Sequence, residues 1–197
     1  MAAPGQPELR HGRVGLRLIR RSDARTLQRL LAENRDWLEP WEATNPDGLR
    51  QVPGSASMRP AVAWMLANAK AGTSVPFVIT LDGRMVGQLT VSGITWGALR
   101  AANLGYWIAE EAAGHGVTTV AVALATDDLL FRRGLHRMEI CIRPENAASL
   151  RIVEKLGFRP EGIRPRFIHI DGDWRDHAVF ALNREEVPGG VLRRFLG

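Results

Sequence analysis

Two kinds of pattern follow one another along this chain. In one, apolar and polar residues alternate, and in the other, apolar residues recur every three or four positions. A period of two is typical of a half-buried strand, and a period near 3.6 is typical of an amphipathic helix. The first part of the chain therefore predicts a strand over residues 14–19, helices over 22–31 and 60–70, and a polar surface loop over 45–60. Residues 34–42 are predicted to form a short helix or turn that ends at Pro40.

A β-hairpin is predicted next. The apolar runs 77–81 and 85–91 are separated by Asp82-Gly83, and Asp-Gly between two such runs is the strongest short signal for a hairpin. The run 104–108 continues the same meander as a further strand.

The last third of the chain predicts strands that alternate with helices. The pattern indicates a helix over 117–131, a strand over 137–142, a helix over 146–156 and a closing hairpin over 167–182 with a turn at Asp171-Gly172-Asp173. Antiparallel strands followed by this β-α-β succession predict an α/β fold, with one mixed, mostly antiparallel sheet and helices on both faces.

Length and composition place the chain among soluble globular proteins. It has 197 residues, of which 45% are hydrophobic and 24% charged, and no apolar run approaches the length of a membrane span. We expect a flexible lead over residues 1–9, a single domain over 10–184 and a C-terminal tail over 185–197 whose apolar end is either covered or loose. The single cysteine, Cys141, predicts a small buried side chain and a reducing, cytoplasmic location.

The charge of the chain decides little. The formal net charge is +5, and the basic residues are scattered rather than clustered, so no nucleic-acid site is visible. A mild positive field favours anionic ligands in general.

The most informative local feature is Gly114-His115-Gly116, which follows a predicted strand and opens a predicted helix. Glycine tolerates positive φ and allows close approach, and the first turn of a helix presents unpaired N–H groups to an anion. Residues of this pattern hold a phosphate in some proteins, whereas in others they only form a tight turn from strand to helix.

Six short motifs stand in order along the chain: Asn34-Arg35 with Leu38-Glu39-Pro40-Trp41-Glu42, Gly105-Tyr106-Trp107-Ile108, Gly114-His115-Gly116, Glu145-Asn146-Ala147-Ala148-Ser149, Lys155-Leu156-Gly157-Phe158, and Gly172-Asp173-Trp174-Arg175-Asp176-His177. Over roughly residues 9–183 the chain resembles the GNAT acetyltransferase superfamily, and more narrowly the RimJ/RimL-type ribosomal-protein-alanine N-acetyltransferases. The resemblance implies a GNAT fold whose sheet is splayed at the cofactor strand.

The resemblance also implies acetyl-CoA as co-substrate, without a metal. It assigns binding of that co-substrate to a set of residues that comprises Tyr106, Trp107, Ile108, Gly114, His115, Gly116, Val117, Thr118, Asn146 and Ser149. A backbone N–H of Trp107 or Ile108 is expected to polarise the thioester carbonyl, as in an oxyanion hole. Ordinary sheet packing is the alternative role for Tyr106 and Trp107, and both roles are compatible.

Asn146 and Ser149 lie three residues apart, on one face at the start of a helix. By resemblance, Asn146 contacts the pantetheine arm and Ser149 protonates the departing thiolate. The alternative is that Asn146 only caps the helix and Ser149 only packs. Relatives that use a later tyrosine as acid offer no parallel, because Tyr106 is the only tyrosine and precedes the glycine loop.

The general base is left open among four residues, Glu42, His169, Asp176 and His177, with Glu42 as our choice. An α-amine with a pKa near 8 is about one-fifth neutral at about pH 7.4, whereas a lysine is only about one-thousandth neutral. The lack of an obvious strong base therefore favours a protein N-terminus as acceptor over a lysine.

One residue departs from the family pattern. Glu111, next to Glu110, stands where the phosphate loop usually has Arg or Gln. A carboxylate pointing at a phosphate a few Å away is repelled by about 4 kcal/mol, so either these two side chains point to solvent or the affinity for acetyl-CoA is poor. The expected function is direct acetyl transfer from acetyl-CoA to a primary amine, with the N-terminal amine of a ribosomal protein as our first choice. Acetylation of a small amine, an amino acid or an antibiotic, and a weakly catalytic CoA-binding regulator, are the alternatives, and a homodimer is left open.

Overall fold

Eight strands form one continuous sheet in the computed structural model, which describes residues 8–47 and 52–197. In chain order the strands are β1 (Leu9–His11), β2 (Val14–Leu18), β3 (Val75–Leu81), β4 (Arg84–Thr95), β5 (Ala101–Ile108), β6 (Arg137–Ile142), β7 (Arg159–Ile170) and β8 (Asp173–Asn183). Their order in the sheet is β1-β2-β3-β4-β5-β6-β8-β7, and each neighbouring pair is antiparallel except β5 and β6. The predicted mixed, mostly antiparallel sheet is confirmed.

Helices cover both faces of this sheet, as the pattern predicts. They are α1 (Ala24–Glu33), α2 (Arg35–Leu38), α3 (Arg59–Ala71), α4 (Val117–Asp127), α5 (Ala147–Lys155) and α6 (Val191–Leu196). One apolar core lies between the sheet and the helices α4, α5 and α6, and a second lies between the opposite face and the helices α1 and α3. A π-helical segment, Asp128–Arg132, continues α4.

Both predicted hairpin turns are present. Asp82-Gly83 joins β3 to β4, and Asp171-Gly172 joins β7 to β8. All four residues have positive φ, between 49° and 79°. Positive φ at both central residues defines the type I′ turn, whose twist matches that of the strands it joins.

The edges of the sheet differ most from the predicted elements. β7 begins at Arg159 rather than at residue 167, and its first half is exposed, with Gly162 and Arg166 at positive φ and an irregular register. An exposed, bulged edge strand shows no regular alternation of apolar residues, so the pattern missed it. At the other edge, Leu9 pairs with Leu16, while most of the predicted lead lies outside the described residues.

The C-terminal segment packs against the rest of the domain, so a loose tail over 185–197 is wrong. Val187 and Val191 are buried in the core beneath α4. The carboxylate of Asp127, at the end of α4, accepts the backbone N–H groups of Val191 at 2.6 Å and Leu192 at 3.1 Å. These bonds satisfy the first amides of α6. No helix of the described residues has the length and apolar character needed to cross a membrane.

The sheet is splayed between β5 and β6. The two strands pair only where Ala101, Ala102 and Asn103 lie beside Arg137, Met138 and Glu139. Beyond this pairing, residues 104–108 of β5 and 140–142 of β6 diverge. We call the space between these two segments the gap, and it positions the candidate site.

Candidate active site

A cleft of about 810 Å³ opens at the gap. Its walls come from α2 and the turn after it, the end of β5, the loop before α4, the first turn of α4, and α5. The lining residues are Trp37, Leu38, Trp41, Tyr106, Trp107, Ile108, Glu110, Ala112, Ala113, Gly114, Gly116, Val117, Thr118, Thr119, Glu145, Asn146, Ala147, Ala148, Ser149, Arg151, Ile152 and Lys155. All of the residues predicted to bind acetyl-CoA line this one cleft, with the exception of His115.

Gly114 and Gly116 form the turn between β5 and α4, and both have positive φ. Their φ angles are 79° and 76°, and Gly116 immediately precedes α4 without any side chain capping the helix. The first N–H groups of α4, those of Val117 and Thr118, therefore remain available at the cleft. A Cβ added at either glycine meets no protein atom within 4 Å, so the space in front of the backbone is open. We call this turn and the first amides of α4 the cradle.

The charged residues beside the cradle differ in whether they line the cleft. Glu111 and His115 are exposed and do not line the cleft. Glu110 does line it, and its backbone N–H donates to Asn34 Oδ1 at 2.8 Å. Cationic side chains come instead from α5.

Arg151 and Lys155 are these cations, and both line the cleft. They are four residues apart, a spacing that places both side chains on one face of α5. The sequence assigned neither residue to the site, although Lys155 belongs to one of the six motifs, because the basic residues are scattered along the whole chain. Their spacing within a helix that follows Asn146 and Ser149 was the available signal.

The register of β5 decides which backbone groups point into the gap. Ala109 N–H donates to Val86 C=O at 2.8 Å, and hydrogen-bonded pairs alternate along an antiparallel ladder. The N–H of Trp107 therefore points at β4, whereas the N–H groups of Tyr106 and Ile108 point into the gap. Of the two amides expected to polarise a carbonyl, the geometry excludes that of Trp107 and leaves that of Ile108.

The side chains of β5 alternate between the two faces of the sheet. The Trp107 ring packs against the core beneath α1 and α3, so the ordinary packing role holds for this residue. The Tyr106 ring packs into the opposite core, beneath α4 and α5. The carbonyl of Ile108 accepts a hydrogen bond from Trp37 Nε1 at 3.0 Å, which anchors α2 at the end of the gap.

Asn146 and Ser149 lie together at the start of α5, and both line the cleft. The side-chain oxygen of Asn146 accepts the N–H of Ser149 at 3.0 Å, so the capping role is present. The cap forms the first turn of α5, and Ser149 lines the cleft from this turn. Capping and a catalytic role for Ser149 are therefore compatible.

The structure also brings Tyr106 beside Ser149, a contact that the sequence did not predict. The Tyr106 hydroxyl oxygen is buried and makes no hydrogen bond of standard geometry within the described part of the chain. Burial raises the pKa of Tyr106 to about 12, and the neighbouring Ser149 hydroxyl opposes part of this rise. The phenol is therefore neutral at physiological pH.

Glu42 does not line the cleft. Its carboxylate pairs with the guanidinium of Arg35, and both residues line a separate small cavity together with Thr44, Val52 and other residues. The Nε and Nη1 atoms of Arg35 are buried, with no hydrogen-bond partner among the residues described. A base at Glu42 would have to act through solvent.

The other three base candidates lie around β7 and β8, and none of them lines the cleft. Nδ1 of His169 is 2.7 Å from the Thr44 hydroxyl, and the carboxylate of Asp176 accepts the N–H of Arg166 at 2.8 Å. His177 is buried with Nδ1 3.0 Å from the Arg175 carbonyl, and burial lowers its pKa. Each of these side chains has a local structural partner.

Glu145 is the carboxylate that sequence reasoning missed. It lines the cleft and pairs with Arg143 at 3.2 Å. The pKa of Glu145 is lowered, first by a hydrogen bond from its own backbone N–H and then by the charge and hydrogen bond of Arg143. A carboxylate with a lowered pKa is a poor proton acceptor.

Comparison with known proteins agrees with the geometry. A family model described as "Acetyltransferase (GNAT) domain" matches residues 13–159. The chain is 32% identical over 171 residues to "Probable N-acetyltransferase YjcK" of Bacillus subtilis, covering 86% of this chain and 93% of that protein. It is 29% identical over 180 residues to the [ribosomal protein uS5]-alanine N-acetyltransferase of Escherichia coli, covering 90% and 91%.

A solved structure matches as well. Mycobacterium smegmatis RimJ in complex with CoA-disulfide superposes with a TM-score of 0.88 at 39% identity, covering 93% of this chain and 88% of that one.

Proposed function

The chain belongs to the GNAT acetyltransferase family, and from that premise we propose that it moves the acetyl group of acetyl-CoA directly to the N-terminal amine of a ribosomal protein. The observation that carries the proposal is the gap, because the residues of the cradle, Ile108 and Ser149 all line one cleft there. The acceptor class is supported by the relative from Escherichia coli, whose name specifies an alanine of a ribosomal protein.

The residues of the cleft suit coenzyme A. The cradle offers open backbone amides for the pyrophosphate, and Arg151 and Lys155 supply positive charge for phosphates. The unpaired edge of β5 offers backbone groups to the amides of the pantetheine arm, in the manner of an added strand. When bound, acetyl-CoA supplies the activated acetyl group.

Two groups of this chain then act on the transfer. The Ile108 N–H donates to the thioester carbonyl oxygen as that oxygen gains negative charge. As the bond between the acetyl carbon and the amine nitrogen forms and the C–S bond breaks, Ser149 gives its hydroxyl proton to the sulfur. The nitrogen loses one proton to water, and Ser149 regains one from water, so the protons balance.

Removal of the amine proton needs little help in this scheme. About one-fifth of an α-amine is already neutral at about pH 7.4. The two carboxylates that line the cleft are Glu110 and Glu145, and the second has a lowered pKa. We keep Glu42 as the proton acceptor. Because Glu42 pairs with Arg35 and lines a separate cavity, it would receive the proton through water.

Release of CoA thiol tests this function. We expect purified protein to release thiol from acetyl-CoA with an Ala-initiated peptide and not with the same peptide already acetylated at its N-terminus. Ser149→Ala should lower kcat about tenfold or more and leave the dissociation constant of CoA, measured by calorimetry, unchanged. Unchanged kcat in this variant would remove Ser149 as the acid.

The same assay separates the alternatives. Release with small amines but with no peptide would favour a small-molecule acetyltransferase, and tight CoA binding without release would favour a regulator. The alternative of a weakly catalytic regulator depended on Glu111 weakening the binding of phosphate. Glu111 does not line the cleft.

A further inference from the structure

The Tyr106 hydroxyl is a buried polar group without a standard hydrogen bond in the described structure. A buried hydroxyl left unpaired costs free energy, so such a group in a native fold needs an explanation. Tyr106 lines the cleft from β5, at the edge of the gap, and its hydroxyl faces the side chain of Ser149 on α5. The two side chains therefore meet across the gap.

Ser149 is free to accept a hydrogen bond there. Its backbone N–H is already committed to Asn146 Oδ1 at 3.0 Å, which fixes the main chain of the residue. A hydroxyl rotates about its C–O bond and can accept one hydrogen bond while it donates another. A donor that occupies one lone pair of Oγ restricts where the Ser149 proton can point.

We propose that Tyr106 is a positioning residue whose hydroxyl donates a hydrogen bond to Ser149 Oγ and so directs the Ser149 proton toward the sulfur of the bound thioester. This inference rests on the proposed function, in which Ser149 is the acid. In the step itself the C–S bond breaks and the sulfur takes the Ser149 proton, while the phenol keeps its own.

The burial of Tyr106 supports this division of roles. With the pKa of Tyr106 raised to about 12, transfer of its proton to a thiolate with a pKa near 8.5 is disfavoured on the order of a thousandfold. The phenol is therefore suited to be a permanent donor rather than the acid. The nearby hydroxyl of Ser149 is the polar group that it meets.

Tyr106→Phe removes only the hydroxyl and keeps the ring. We expect kcat to fall about tenfold, as for loss of one neutral hydrogen bond, with the KM values of acetyl-CoA and peptide unchanged. In the Ser149→Ala background the same change should cause no further loss, because the two hydroxyls act as one unit. Melting temperature and CoA affinity serve as folding controls for all three variants.

A spectroscopic readout is available because Tyr106 is the only tyrosine. Labelling tyrosine with ¹³C at the ζ carbon yields a single NMR signal. We expect this signal to shift in Ser149→Ala at neutral pH and again when CoA binds. A control substitution at a distant exposed serine, Ser55→Ala, should leave it unmoved.

The outcomes are distinct. If the wild type is active and Tyr106→Phe has the same kcat, the positioning role alone is overturned. The same follows if the tyrosine NMR signal does not shift in Ser149→Ala. A wild type that acetylates nothing overturns the proposed function, and the catalytic meaning of the pair with it. A tenfold loss in Tyr106→Phe, no further loss in the double variant and a shifted signal together support the proposal.

Discussion

At the scale of single residues, two glycines have the same backbone conformation, but only one of them lines the cleft. Gly116 and Gly134 have φ angles of 76° and 79°, and a Cβ at either position meets no protein atom within 4 Å. Neither position is too crowded for a side chain, so the positive φ angle is the reason that each position favours glycine. Only Gly116 lies in the cradle, whereas Gly134 follows the helical segment that continues α4.

This pair allows a matched test of the cradle. Gly116→Ala and Gly134→Ala should each lower the free energy of unfolding by about 1–2 kcal/mol, the cost of a left-handed residue with a Cβ. Only Gly116→Ala should weaken CoA binding, by about 10- to 100-fold, the loss expected for one hydrogen bond to a charged group. Chemical denaturation and calorimetry measure the two effects, and equal CoA affinities in both variants would contradict a phosphate role for Gly116.

Residue types and spacing predicted part of the site and left out the rest for a physical reason. Gly116, Asn146 and Ser149 were found because their chemistry depends on neighbours in the chain. The meeting of Tyr106 with Ser149 depends on how β5 and α5 flank the gap, and such a contact between distant segments leaves no local pattern. The choice between the Trp107 and Ile108 amides likewise needed the pairing of β5 with β4.

At the scale of elements, the docking of α6 depends on a carboxylate at the end of α4. Asp127 accepts two N–H groups at the start of α6, and Val191 beside them is fully buried. A side chain that satisfies the first amides of a helix stabilises it by about 0.5–2 kcal/mol. The C-terminal segment is therefore held by a specific interaction as well as by burial.

Removal of this carboxylate should loosen α6. We expect Asp127→Ala to lower the free energy of unfolding by about 0.5–2 kcal/mol, and Asp127→Asn to lower it less, because the amide keeps one acceptor oxygen. Urea denaturation followed by circular dichroism measures both variants. Equal stability of wild type and Asp127→Ala would show that burial of Val191 alone holds the helix.

Elements were predictable where local chemistry and burial agree. Asp82-Gly83 and Asp171-Gly172 were found because a type I′ turn requires residues that tolerate positive φ. The first half of β7 was missed because an exposed edge strand buries neither face, so no periodicity selects its residues. The short strand β1 was missed for a similar reason, since it pairs on one side only.

At the scale of the whole molecule, the acceptor is expected to set the pH dependence of the reaction. The neutral amine is the reactive form, and its fraction increases with pH up to the pKa of the amine. Of the groups that line the cleft, Glu145 has a lowered pKa and Tyr106 has its pKa raised to about 12, so neither of these two changes its charge near neutrality.

We therefore expect kcat/KM for an Ala-initiated peptide without lysine to rise about tenfold per pH unit and level off near pH 8. A lysine acceptor would instead keep rising toward about pH 10.4. Thiol release measured from pH 6 to 10 distinguishes the two profiles. A peptide with a blocked N-terminus and one lysine is the control, and its acetylation would contradict the proposed acceptor.

The gap also gives this protein a sheet edge in the interior of the sheet. Exposed edges invite pairing with foreign strands, and proteins protect them with charges, bulges or covering segments. Here the first turn of α4 and the helix α5 line the cleft beside this edge, so the segments that cover the strand are the same ones that form the candidate site.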